Sequence, residues 1–197
     1  MSTLAIAKSE FILGGQRSGK SRRAEMLARA WLDASDTHRA VLIATAQPWD
    51  DEMRARITRH QADRALRVPG IATVEEPLAL ADAIAAHSKP HTLVVVDCLT
   101  LWLTNLLMPV DTGSLMENRA AAPEEYAQTA SLLIAIQDSP GPVVLVGNEI
   151  GLGVIPLGRE VRAFVDALGR LNQDVASVCQ RVTLMAAGLP LCLKASP

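Results

Sequence analysis

The chain has 197 residues, 49% of them hydrophobic and 20% charged, enough apolar material for one well-filled core and too short for two ordinary domains. A formal net charge of −2 with scattered Lys and Arg argues against the basic face of a nucleic-acid binder, and two Phe, one Tyr and three Trp leave little for a base-stacking platform. The expectation is one domain over residues 1–197 that handles a small charged ligand and has no nucleic-acid partner.

Met1 to Gly14 lacks a signal-peptide h-region, and no apolar run reaches the roughly 18 residues of a membrane span, so a cytoplasmic protein is expected. Phe11–Leu13 reads as a first strand and Ser21–Asp33 as the helix after it. Ala40–Thr45 is a second strand, followed by helical stretches at Asp50–Leu66 and Leu78–His87. Leu93–Asp97 and Val143–Val146 lack polar alternation, the mark of strands buried on both faces, and should lie at the centre of a parallel sheet. Between them, Pro109 to Pro123 looks like a surface loop and Glu124–Gln137 like a helix. Arg159–Val178 is amphipathic, and Val182–Met185 with Leu191–Lys194 flanks Gly188-Leu189-Pro190 as a hairpin or tight return. Strands alternating with helices predict an α/β fold, a mostly parallel sheet flanked by helices with a C-terminal hairpin.

Cys98, Cys179 and Cys192 are odd in number, far apart and set in apolar surroundings, which reads as buried free thiols rather than disulfides or a zinc site. Gly14-Gly15-Gln16-Arg17-Ser18-Gly19-Lys20-Ser21 fits G-x-x-x-x-G-K-[ST] between a strand and a helix. In such a P-loop the backbone N–H groups and the helix N-terminus cradle phosphates, and the lysine reaches the β- and γ-phosphates of ATP or GTP. Ser21 and Asp97, the latter closing an apolar strand, are the expected Mg²⁺ ligands. Asn148 and Glu149 end the next strand, at the sheet edge where ligands of α/β proteins bind.

Beyond the P-loop, GGQRSGKSRRAE at Gly14–Glu25, WDDEMRARITRHQADR at Trp49–Arg64, VVDCLTLWLTNLL at Val95–Leu107, GNEIGLGVIP at Gly147–Pro156 and GRLNQ at Gly169–Gln173 form a set. Together they resemble the bifunctional adenosylcobinamide kinase and adenosylcobinamide-phosphate guanylyltransferase family of cobalamin synthesis. The resemblance implies a RecA-like P-loop NTPase fold, a homotrimer and two reactions on a corrinoid. ATP or GTP phosphorylates the aminopropanol hydroxyl of adenosylcobinamide, and GMP from GTP is then transferred to that phosphate with release of pyrophosphate. It also implies a histidine that carries the GMP, which here is His60.

On a helix, Met53, Ile57, His60 and Arg64 share one face. Without the resemblance, a helix histidine near Arg59 and Arg64 would read as a solvated or capping residue. With it, His60 is a nucleophile and Arg64 a cation for the α-phosphate. Thr45 and either Glu75 or Glu76 lie in blocks that the family uses for nucleotide or guanine contacts, and a carboxylate can accept from guanine N1–H and the 2-amino group. Gln16 stands where Ala is usual, and Val165 precedes Asp166 where Arg is common. A P-loop kinase of another small molecule remains as an alternative but leaves the His60 block without a reason, and a nucleotide-bound assembly subunit remains as another, which should show slow, partner-dependent turnover that corrinoid does not affect.

Overall fold

A computed structural model describes residues 5–48, 50–108, 122–154 and 156–195. Seven strands join in a single sheet ordered β3-β2-β4-β5-β1-β6-β7. They are β1 Ser9–Gly14, β2 Arg39–Ala44, β3 Ala72–Glu75, β4 Thr92–Asp97, β5 Val143–Val146, β6 Arg181–Ala186 and β7 Leu189–Ala195. Every pairing is parallel except β6 with β7. Six helices lie among the described residues: α1 Lys20–Asp33, α2 Asp51–Arg67, α3 Leu80–His87, α4 Leu99–Leu107, α5 Ala122–Asp138 and α6 Arg159–Val178. This is the expected α/β architecture, with the two unbroken valine-rich strands, β4 and β5, in the middle of the sheet.

Each face of the sheet carries its own core. Phe11, Val94, Val96, Val143 and Leu145 point to one side, where they meet Trp102, Leu103, Leu132, Ile136, Leu168 and Leu171. Ile12, Leu42, Leu93, Val95, Val144 and Val146 point to the other and meet Ala24, Leu27 and Ala28 of α1. The period-2 alternation of side chains explains why a strand covered on both faces must be apolar at every position.

Two elements escape the sequence reading. β3 has only four residues and is largely exposed, so Ala72–Glu75 shows no apolar run. α4 has the opposite character: Leu-Thr-Leu-Trp-Leu-Thr-Asn-Leu-Leu is apolar nearly all round, and it buries Leu99, Trp102 and Leu103 without a periodic polar face to announce a helix. Of the loop expected at Pro109 to Pro123, residues 109–121 lie outside those described, and α5 already begins at Ala122.

The C-terminal return is tighter than expected. Ala186 pairs with Leu189, so the turn is Ala187-Gly188, with φ of 50° and 80° at the two residues. Both angles are positive, as a two-residue turn that follows the sheet twist requires. Pro190 therefore stands inside β7 rather than in the turn, which is possible because β7 is the sheet edge and its N–H groups need no partner.

Beneath β1 and β6 a buried carboxylate ties three elements together. Glu10, 1% exposed, accepts from Arg23 Nε at 2.9 Å and Thr183 Oγ1 at 2.8 Å, with Arg181 Nη1 at 3.5 Å. A charge so far from water is tolerated because its lone pairs are met by donors, two of them cationic.

Candidate active site

At the carboxyl end of β1 the chain turns back through Gly14–Gly19 into α1. Gly14 has φ 153°, and a Cβ there would stand 2.5 Å from both Met185 O and Ser18 Oγ, so no side chain fits. Gly19, at φ 102°, begins α1 with no side-chain cap, and the first turn carries no acidic residue. The free N–H groups of that turn are left for an anion. The β6–β7 turn braces the loop from outside, since Gly188 N donates to Ser18 O at 3.0 Å. Gln16 and Arg17 are exposed, whereas Ser18 Oγ is buried with no hydrogen-bond partner.

Lys20 is 8% exposed, and its Nζ donates to Gly15 O at 2.7 Å. Burial lowers its pKa below the ordinary lysine value; Cys98 and Asp97 oppose that shift, and Arg56 of α2 adds to it. The amine is thus a desolvated cation in a loop built for phosphate. Ser21 Oγ lies 3.5 Å from Asp97 Oδ1, so the hydroxyl and carboxylate assigned from the sequence do meet. Among the described residues no group of three or more His, Cys, Asp or Glu side chains is placed to hold a metal. The hydroxyl–carboxylate pair can therefore complete a metal's shell only together with phosphate oxygens and water.

Thr45, at the end of β2, is fully buried, and its hydroxyl is spent. It donates to Cys98 O at 2.7 Å and accepts from Cys98 N at 2.9 Å, while Asn105 Nδ2 binds the Thr45 carbonyl at 2.8 Å. A nucleotide contact by Thr45 would therefore not come from a free hydroxyl, since its side chain fastens the residue after Asp97. Cys98 itself is buried, with its thiol pushed up to about 11, first by burial and then by the Asp97 charge.

α2 starts where Asp50 accepts from Met53 N at 2.7 Å, a side-chain cap. Met53, Ile57 and His60 are half-buried and Arg64 is buried, whereas Arg59 is exposed, so the face expected from spacing is the inner one. Arg64 is 6% exposed; its Nη1 lies 3.4 Å from Thr73 Oγ1, and its Nε is buried without a partner. No carboxylate pairs with it among the described residues. Sequence reasoning missed Arg56. Its position four residues before His60, one helical turn, was the available signal.

The two glutamates separate. Glu76 Oε1 accepts from Leu78 N at 2.9 Å and Ala79 N at 2.8 Å, which commits it to the start of α3. Glu75 is exposed at the carboxyl end of β3, and among the described residues its carboxylate has one hydrogen-bond partner, Gln61 Nε2 at 3.5 Å. Asn148 and Glu149 follow β5 beside the loop, where Glu149 N donates to Gly14 O at 3.1 Å.

A family model for cobinamide kinase / cobinamide phosphate guanyltransferase matches residues 10–193. The bifunctional adenosylcobalamin biosynthesis protein CobP of Pseudomonas aeruginosa is 46% identical over 188 residues, which cover 95% of this chain and 98% of the relative. CobU of Escherichia coli, described by the same bifunctional name, is 37% identical over 193 residues, 93% of this chain and 98% of the relative. Among solved structures, the flagellar accessory protein FlaH of Methanocaldococcus jannaschii aligns with a TM-score of 0.51 at 9% identity, covering 97% of this chain and 80% of FlaH. The Pyrococcus horikoshii protein of project PH0250 aligns with a TM-score of 0.54 at 9% identity, over 98% of this chain and 89% of its own. At such identities these two speak for the fold alone. The family model and these relatives cover nearly the whole chain, and on that ground the chain belongs to the cobinamide kinase / cobinamide phosphate guanyltransferase family.

Proposed function

We propose that the protein phosphorylates adenosylcobinamide with ATP or GTP and then transfers GMP from GTP to the new phosphate, releasing pyrophosphate, with His60 carrying the GMP. The observation that supports this most is the inner face of α2, where half-buried His60 stands one turn from buried Arg64, an arrangement that neither a plain kinase nor an assembly ATPase requires.

In the guanylyl step a His60 nitrogen attacks the α-phosphorus, the bond from that phosphorus to the bridging oxygen breaks, and pyrophosphate leaves with the electron pair. Lys20 and the α1 N-terminus meet the charge that builds on the leaving group. Arg64, buried without a carboxylate partner, suits the α-phosphate oxygens. The phosphate oxygen of the corrinoid then attacks the same phosphorus, the P–N bond breaks, and the imidazole is regenerated. Ser21 and Asp97 would hold Mg²⁺, which when bound supplies positive charge to the phosphate oxygens. Of the two glutamates, Glu75 is the one with lone pairs free for guanine, and we assign the base contact to it.

We further read the protein as cytoplasmic and homotrimeric. No helix among the described residues is long and apolar enough to cross a membrane. Leu189, Leu191 and Leu193 form an exposed apolar row on the edge strand β7, a surface suited to a second copy of the chain.

The test is to label wild type and His60→Ala with α-labelled GTP. Wild type should acquire an acid-labile, base-stable phosphoramidate and release pyrophosphate; His60→Ala should do neither, yet still phosphorylate cobinamide from γ-labelled ATP. Undiminished labelling of the variant would remove His60 from the mechanism.

A further inference from the structure

A cleft of about 390 Å³ opens beside the P-loop, walled by Gly15 and Arg17 on one side, Glu149 and Leu152 on another, and Leu184 and Met185 beneath. Its position follows from how the segment after β5 is held. Gly147 N donates to Ile12 O at 3.0 Å and Glu149 N to Gly14 O at 3.1 Å, which carries the β1–β5 ladder past the end of the strands. Thr100 Oγ1 accepts from Asn148 N at 2.8 Å, and Asn172 Nδ2 donates to Asn148 O at 3.1 Å, so helices on the same side clamp the residue before Glu149. Gly147 leaves no room for adjustment, since a Cβ there would stand 2.9 Å from the Phe11 ring.

The carboxylate delivered by this clamp is half-buried and half-used. Glu149 Oε1 accepts from Gly151 N at 2.8 Å, which orients the group, and no hydrogen bond engages Oε2 among the described residues. Gly15, whose carbonyl receives the Lys20 amine, lines the same cleft. Lys20 does not itself line the cleft, but Glu149 on its wall follows β5, the strand set between β1 with its P-loop and β4 with Asp97. On the function proposed above, Lys20 serves the phosphates, Ser21 and Asp97 would hold a metal and His60 belongs to the other half-reaction, which leaves the proton of an incoming alcohol to Glu149.

We infer that this cleft admits the hydroxyl of the phosphoryl acceptor and that Glu149 is the catalytic residue that takes its proton. The inference rests on the kinase half of the function proposed above. As the alcohol oxygen attacks the γ-phosphorus, the bond to the β–γ bridging oxygen breaks and the nucleoside diphosphate leaves with its electron pair. The alcohol proton passes to Glu149 Oε2 and from there to water, so the products are a phosphate monoester, a nucleoside diphosphate and one proton. Exposed Leu152 at the rim offers apolar surface to the body of a bulky alcohol.

The experiment compares wild type, Glu149→Gln and Glu149→Asp in three assays: phosphorylation of cobinamide from γ-labelled ATP, protein labelling by α-labelled GTP, and guanylyl transfer to cobinamide phosphate supplied ready-made. Glu149→Gln should lose kcat for phosphorylation by about a hundredfold with KM for ATP unchanged, the size expected of a general base. It should keep both guanylyl assays, which also shows that it folds. Glu149→Asp, with a shorter but still basic side chain, should recover part of the lost rate. Wild-type phosphorylation by Glu149→Gln would overturn the assignment, and so would equal loss of all three activities, which would make Glu149 a support for the loop. Failure of the wild-type protein to phosphorylate cobinamide would instead strike the proposed function itself, and this inference with it.

Discussion

Lys20 shows how one residue can be costly to the free protein and necessary to the bound one. Its pKa lies below the ordinary lysine value because burial opposes the charge. A base with a depressed folded pKa weakens the fold while it is charged in both states, and the penalty is relieved as pH rises through the folded pKa toward the unfolded one. Replacement by methionine, which keeps the stem and removes the charge, should therefore raise the thermal stability of the ligand-free protein and flatten its rise toward alkaline pH. The same variant should lose the stabilisation conferred by GTP, and with it about a hundredfold or more of both activities. Calorimetry of both proteins with and without GTP, from neutral to alkaline pH, checks the signs. The thiols separate by the same logic. Burial holds the Cys98 thiol at about 11 and the Cys179 thiol at about 12, so both stay protonated and covered. Cys192 is exposed on β7, against the expectation that all three are buried. A thiol reagent at mild alkaline pH should titrate one group quickly in the native protein and the other two only after denaturation.

At the scale of elements, the candidate site is held by side chains committed to the backbone. Thr45 closes β2 and uses its hydroxyl as both donor and acceptor to the Cys98 backbone, so the end of β2 and the turn after β4 move as one. Thr45→Val conserves shape but strands a buried N–H and C=O, which should cost about 1–3 kcal/mol. Urea unfolding measures that cost, and the apparent affinity for Mg²⁺ in turnover should fall with it because Asp97 loses its anchor. Wild-type stability with wild-type metal dependence in Thr45→Val would show the latch to be idle. Glu76 is a second such case. Its sequence neighbourhood makes it as plausible a guanine reader as Glu75, but the carboxylate is occupied by the first amides before α3. Pattern alone cannot distinguish a free lone pair from a committed one.

Over the whole molecule, the sheet sets the order of the site: β2, β4, β5 and β1 are neighbours, so Thr45, Asp97, Glu149 and the P-loop emerge along one edge. The opposite margin of the sheet, β7, carries the exposed leucines. If that edge joins copies of the chain, Leu191→Glu should shift the protein to a smaller species in analytical ultracentrifugation without a change in circular dichroism. An unchanged sedimentation coefficient would remove β7 as a contact between copies.

The sequence by itself determined what depends on local chemistry. The glycines and lysine of the P-loop, the unbroken apolar strands β4 and β5, the amphipathic period of α6 and the inner face of α2 with His60 can all be read from spacing, because each follows from backbone geometry or a period of two or 3.6 residues. The family resemblance added the role proposed for His60, which composition and period do not contain. Only the tertiary structure decided what depends on residues far apart in the chain. The Thr45 hydroxyl is consumed by Cys98, Glu76 by α3, the Ser18 carbonyl by Gly188, and the cleft beside the P-loop brings Gly15, Glu149 and Met185 together. Those pairings join segments of the chain whose contacts are set by sheet order and helix packing, and no periodicity in a single segment records which partner its polar groups will find.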